Sequence, residues 1–303
     1  MTYPPYWFKA SKYLADRDPK IMSRKHKHEL TPFKKQRHSK KFSQTFSEQV
    51  SNQVTPLLNQ FEEISLSLAA RSNEEVIWKP PENLHELLDH YLETLSVVYL
   101  KKYSVFSQCL IQVLNEENYL LYGLVGRSII EHTAILRYYI TSKMLPLAED
   151  VVADGKITES EIEELIQLLD RHLAGRRFDW DNFLADYLQK IKGLKPESGV
   201  QPTQVNILTC LEKWGRENPK IIHLYELFCD LVHPNLGSTL LITRLLDEQL
   251  VLGGSRGIPV GLEIFNRTFA ELLKLFHEVQ KQLIQLQSLK FSKLLSLKSS
   301  EGN

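Results

Sequence analysis

The stretch NLHELLDHYLETLSVVYLKKYSVFSQCLIQVL, Asn83 to Leu114, decides the fold class. Leu84, Leu87, Leu88, Tyr91, Leu92, Leu95, Val98 and Tyr99 recur three and four residues apart, and the pattern runs on to Leu114. A 3.6-residue period gathers such positions on one helix face, whereas a half-buried strand alternates every second residue. Asn83 followed by Glu86 has the capping-box spacing that marks a helix start. The stretch therefore predicts one long amphipathic helix.

Its neighbours read the same way. Thr55 before Pro56 predicts an N-cap and first-turn proline, opening a helix through Leu57, Leu58, Phe61, Ile64 and Leu68. A third helix is expected from Asn118 to Met144, closed by Pro146. Shorter helices follow near Glu159–Leu173 and Trp180–Ile191, ended by Gly175 and Gly193. A Pro- and Gly-bearing loop, Lys195 to Pro202, leads to Thr203 and a helix ending at Gly215. Asn218 and Pro219 open a helix over Lys220 to His233, which Pro234 stops. Residues 238–252 fit either a helix or a small hairpin. Pro259 opens a last long helix through Phe265, Phe269, Leu272, Leu273, Phe276, Val279, Leu283 and Leu286. The expected fold is all-α: an antiparallel helical bundle over 46–303 with a helical insertion at 146–215.

Charge is distributed unevenly along the 303 residues, although the formal net charge is zero. Residues 1–45 hold twelve Lys/Arg against three acids, a net +9 that leaves −9 on the remainder. The basic residues cluster as Arg24, Lys25 and Lys27 and again as Lys34, Lys35, Arg37, Lys40 and Lys41. Low hydrophobicity and like charge oppose burial, so 1–45 is expected to be a disordered basic arm. Clustered Lys/Arg release counterions from phosphate, which makes RNA or DNA the partner the arm would select. A solvated tail, or one folded back on the acidic body, is the plainer expectation for the same residues.

No apolar run reaches the roughly 20 residues of a membrane-spanning helix, and no secretory h-region opens the chain. Cys109, Cys210 and Cys229 are odd in number and far apart, which suits reduced thiols in a cytoplasmic protein. No membrane association and no cofactor is expected.

Several segments invite chemistry. His85 and His90 are five apart on a helix, about 140° round it, so they do not make the one-face pair of a zinc-protease helix. Gly253 to Gly257 lacks the Gly-Lys-Ser/Thr ending of a nucleotide loop and reads as a connector. Asp150, Asp154, Thr158 and Glu161 carry EF-hand-like spacing around Gly155. Val152 stands where that loop normally supplies an oxygen, and a Thr158–Glu161 capping box explains most of the same letters. A calcium-regulated helical protein is thus one expectation, and a degenerate loop the plainer one.

The most informative pair is GRSIIEH, Gly126 to His132, with YELFCDLVHPN, Tyr225 to Asn235. Arg127 and Glu131 are i,i+4 on one helix; Tyr225, Cys229 and His233 share a face of another. All sit in mainly apolar helices, where buried charge must be paired and hydrogen-bonded. Arg127, Glu131, Tyr225 and His233 are therefore expected to converge, with Gly123 and Gly126 letting the second helix come close. A buried polar network that fixes helix register is the structural reading of the same four residues.

The two motifs resemble a bacterial helical family related to the HEPN-like bundles found around phage-defence and toxin–antitoxin genes. The resemblance covers about residues 83–290. It implies an interaction module that binds protein or nucleic acid, and leaves a homodimer open. HEPN ribonucleases use an Arg-x4–6-His motif, with His in acid/base catalysis and Arg on phosphate. His233 matches that histidine, but apolar residues such as Leu227 and Phe228 occupy the arginine's place. The resemblance then implies a metal-independent endoribonuclease only if Arg127 reaches His233 from its own helix, with Glu131 orienting it.

Overall fold

Asn83 Oδ1 accepts the Glu86 amide at 2.9 Å, and the Glu86 carboxylate accepts the Glu82 amide at 2.9 Å. That reciprocal cap starts the longest described helix in the computed structural model, which describes residues 41–74, 81–154, 157–174, 206–246, 249–252 and 258–291. In chain order the described helices are α1 (Gln44–Gln49), α2 (Thr55–Arg71), α3 (Leu84–Asn115), α4 (Tyr119–Tyr139), α5 (Leu145–Asp154), α6 (Glu159–Ala174), α7 (Ile207–Glu217), α8 (Pro219–Val232), α9 (Leu236–Leu240) and α10 (Ile258–Ser288). A π turn, Ile140–Met144, joins α4 to α5. The ambiguous stretch at 238–252 resolves into the end of α9 followed by an antiparallel hairpin, β1 (Thr243–Leu246) and β2 (Gln249–Leu252), with Thr243 opposite Leu252. Among the described residues no helix is long and apolar enough to cross a membrane.

The chain divides into two compact units. The described part of the smaller is Thr158–Ala174 with Asn206, where α6 buries Ile162, Leu165 and Leu169 at helical spacing. The larger holds every other described element, and its helix directions follow from which residues meet. Tyr103 on α3 donates to the Ile129 carbonyl on α4, and Tyr99 faces His132, so α3 and α4 run antiparallel. Tyr122 pairs with Thr268 at 2.8 Å and Arg137 reaches Glu278 at 3.1 Å, so α4 and α10 run parallel. Phe61 meeting Phe269 and Phe276, with Arg71 reaching Gln287 further on, makes α2 parallel to α10 as well. α8 packs antiparallel to α4, with Leu231 near Gly123 and Phe228 near Gly126.

An aromatic core fills the space among α1, α2, α3 and α10. Phe61, Phe269, Phe276 and Tyr103 have no exposed surface, and the Phe61 and Phe276 rings meet edge-on at 4.9 Å. Burial of such rings dominates core energetics, and their edge-to-face contacts add to it. Buried polar groups are paired across helices, as Ser65 with Ser107 at 2.9 Å and Tyr103 with Thr133.

Several sequence expectations need correction. The packed body begins before residue 46: Phe42 lies against Phe46, Phe61 and Phe269, and its amide donates to Glu62. The i,i+4 pair Phe42 and Phe46 flanking the Ser43 cap was the available signal, outweighed by adjacent lysines. Thr55 is the first helical residue, not the cap, and its hydroxyl donates to the Ser51 carbonyl. Pro146 does not end the helical path: the wider π turn, with Leu145 N–H bonded to the Ile140 carbonyl, relieves the clash a proline ring makes with a normal turn. α7 passes through Gly215 to Glu217 and belongs to the larger unit, so the insertion is shorter than 146–215. The clusters from Arg24 to Lys40, the helix expected at 180–191 and the loops at 195–202 and 253–257 lie outside the described residues.

Candidate functional site

Glycine spacing on α4 sets the site. A β-carbon at Gly126 would stand 2.7 Å from the Phe228 ring, and one at Gly123 would stand 3.0 Å from the Leu231 β-carbon. Without those carbons α8 lies close along α4, which brings Arg127 and Glu131 beside Tyr225 and the end of α8.

There the four expected residues meet. Arg127 Nε donates to Glu131 Oε1 at 2.9 Å, and the Tyr225 hydroxyl donates to the same oxygen at 3.2 Å. The guanidinium lies 5.8 Å from the centroid of the Tyr225 ring. Arg127 Nη1 lies 3.3 Å from His233 Nε2, across 106 residues of sequence. A guanidinium can only donate, so in this contact Arg127 is the donor and Nε2 the acceptor. Arg127 and Glu131 are partly buried, with side chains 29% and 26% exposed, whereas His233 is exposed.

Local structure aims His233 outward. It is the extended C-cap of α8, with φ −76° and ψ 157°, and its amide bonds the Cys229 carbonyl. Pro234 follows, so the helix cannot continue. Asp230 Oδ2 then accepts the Gly237 amide at 2.8 Å, pinning the turn into α9. Gly237 is needed there because a β-carbon would run into Asp230.

The electrostatics match the contacts. The hydrogen bond to Glu131 holds the Arg127 pKa above its ordinary value. Burial, and then the neighbouring Cys229 thiol, push the Tyr225 phenol up to about 12, so it stays a donor at neutral pH. The result is a fixed cation, backed by a carboxylate and a phenol, beside an exposed imidazole. Such a group can grip an anion with two nitrogen centres in defined geometry.

The other sequence candidates are not brought here. Lys41 is the described member of the basic clusters, and its carbonyl accepts from Asn115. Asp150 and Asp154 lie in α5, a helical path where an EF-hand would need an open ligand loop. Glu161 instead closes the capping box, accepting the Thr158 amide at 2.8 Å and its hydroxyl at 2.7 Å. Among the described residues no group of three or more His, Cys, Asp or Glu is placed to hold a metal.

Sequence reasoning missed Arg137, nearly three turns beyond Arg127 on the same helix. It bridges Glu217 on α7 and Glu278 on α10 and faces the Trp214 ring at 5.9 Å. Its partners are far apart in sequence, so spacing alone gave no signal.

Comparison with protein families, curated proteins and solved structures finds no match to this chain.

Proposed function

We propose that this chain is a nucleic-acid-binding helical module that grips a phosphodiester at Arg127 and His233. One observation carries this reading: an exposed histidine and a carboxylate-backed arginine, on separate helices, stand 3.3 Å apart. A purely structural network has no need to end on a solvent-facing imidazole. Phosphate oxygens entering the site would take donors from the guanidinium and from the imidazole, replacing one weak contact by charge-assisted bonds. The lysines and arginines of 1–45 would add sequence-independent attraction. The reading agrees with the HEPN-like resemblance in kind, with arginine and histidine supplied from different helices.

A second reading, metal-independent cleavage of RNA, is favoured by the same Arg127–His233 contact. His233 would move the proton and Arg127 would stabilise the charge that builds on phosphate. Against it, in-line attack by a 2′-hydroxyl needs a base and an acid. The site offers one imidazole and a Glu131 oxygen already engaged by Arg127 and Tyr225. Binding without cleavage is therefore the reading the geometry supports best.

Fluorescence anisotropy with a short single-stranded RNA tests it. Arg127→Ala should weaken binding about three- to tenfold at low salt, and removal of residues 1–40 should flatten the salt dependence. Equal affinity for Arg127→Ala and the parent would overturn the assignment. RNA cleaved by the parent without added metal, but not by His233→Ala, would establish the second reading instead.

A further inference from the structure

His233 stands in the middle of a short closed loop. Asp230, in the last turn of α8, and Gly237, in α9, are seven residues apart and joined by the amide-to-carboxylate bond of 2.8 Å. Inside that loop the Asn235 amide donates to the His233 carbonyl at 2.7 Å, and the Thr239 amide donates to the Asn235 carbonyl at 3.1 Å. The His233 amide donates to the Cys229 carbonyl at 2.9 Å. Pro234 confines the residue before it to extended backbone, which His233 adopts. Both backbone polar groups of His233 are thus engaged, and its exposed imidazole is left to meet Arg127 Nη1 at 3.3 Å.

Two observations single out Asp230. A carboxylate in the last turn of a helix meets the negative end of the helix dipole, and α8 has no basic residue in that turn to offset it. The helix gains nothing from an acid there, whereas the Gly237 amide does. Space is also matched to the contact. A β-carbon at Gly237 would stand 3.0 Å from the backbone carbon and oxygen of Asp230, and closer still to its carboxylate. The turn is drawn down onto Asp230, which leaves little room for His233 to swing away.

We propose that Asp230 is a positioning residue for the anion grip: its carboxylate ties the α8–α9 turn so that His233 is held at Arg127 before any phosphate arrives. The proposal rests on the phosphodiester reading above and adds that the histidine's share of binding is set by Asp230. Holding the imidazole in place beforehand removes part of the ordering cost from the binding step. The sign of the effect separates this role from mere proximity. A carboxylate near a phosphate site repels the ligand, so its removal alone would tighten binding. Positioning requires the opposite.

Two readouts on the full chain test this: NMR of the histidine ring resonances without RNA, and anisotropy with a short single-stranded RNA. In Asp230→Ala the His233 ring signals should shift with no RNA present. Its affinity should fall about three- to tenfold, as in His233→Ala, through loss of one charge-assisted bond. The double variant Asp230→Ala with His233→Ala should bind no more weakly than His233→Ala alone, because both act through one side chain. Asp230→Asn keeps an oxygen acceptor, so it should retain the parent ring signals and bind at least as tightly as the parent. Gly237→Ala should reproduce Asp230→Ala. Unmoved His233 signals in Asp230→Ala, tighter RNA binding by that variant, or additive losses in the double variant would each overturn the proposal. Failure of the phosphodiester reading would show separately, as equal affinity of His233→Ala and the parent, and the ring signals would then decide the proposal by themselves.

Discussion

The aromatic core and the α4–α8 seam solve opposite problems with opposite residues. In the core, the Phe265 and Phe269 rings meet at a tilt with centroids 4.8 Å apart and Tyr103 meets Phe276 at 5.5 Å, all without exposed surface. The driving force there is removal of apolar area from water, which tolerates many arrangements of similar volume. Along the seam, two glycines replace bulk, and a chain of directed bonds from Tyr225 through Glu131 and Arg127 reaches His233. That arrangement buries less and specifies more. The difference separates what holds the fold from what holds a geometry.

Mutations should expose the contrast. Phe276→Ala should cost most, about 3–5 kcal/mol, because the cavity it leaves is lined by rings that cannot all collapse. Chemical denaturation should show one cooperative loss. Gly126→Ala should cost less, about 1–2 kcal/mol: the new methyl overlaps the Phe228 ring, while alanine's better helix propensity returns part of the loss. It should also displace His233 from Arg127, which a Phe276 variant that remains folded should not do.

Arg127→Ala should cost about 1 kcal/mol, since its ion pair with Glu131 is roughly a quarter exposed and screened by solvent. Arg127→Met with Glu131→Leu should recover much of that, because neither charge is then stranded. A loss as large as that of Phe276→Ala would mean the seam also carries the fold.

His132, next along α4, gives the smallest effect and a pH signature. Burial, then nearby Lys102, holds its pKa below 6.5, with the Ser128 carbonyl and Glu131 acting the other way. Tyr99 and Phe106 cover the ring. Between the unfolded value near 6.5 and the lower folded value, the unfolded chain binds more protons, so stability falls as pH falls through that window. Replacing His132 by Gln should flatten this part of the stability–pH curve. An unchanged slope would place the titration elsewhere.

The helices were legible because their signals are local. Periodicity placed α3 and α10, and the Asn83–Glu86 cap placed the start of α3. The convergence of Arg127, Glu131, Tyr225 and His233 was legible for a different reason: polar residues on apolar faces need partners, and the paired glycines marked where a helix could come close. Signals failed where tertiary structure overrode them. Phe42 packs despite the lysines around it, Pro146 is absorbed by a π turn, and Gly215 sits inside α7.

The central claim is that Arg127 and His233 face a phosphodiester together. The most direct test is NMR of the histidine ring resonances during titration with a short single-stranded RNA. The His233 signals should move saturably with RNA, and the same movement should vanish in Arg127→Ala while the fold is retained. RNA that binds while the His233 resonances stay in place would contradict the account.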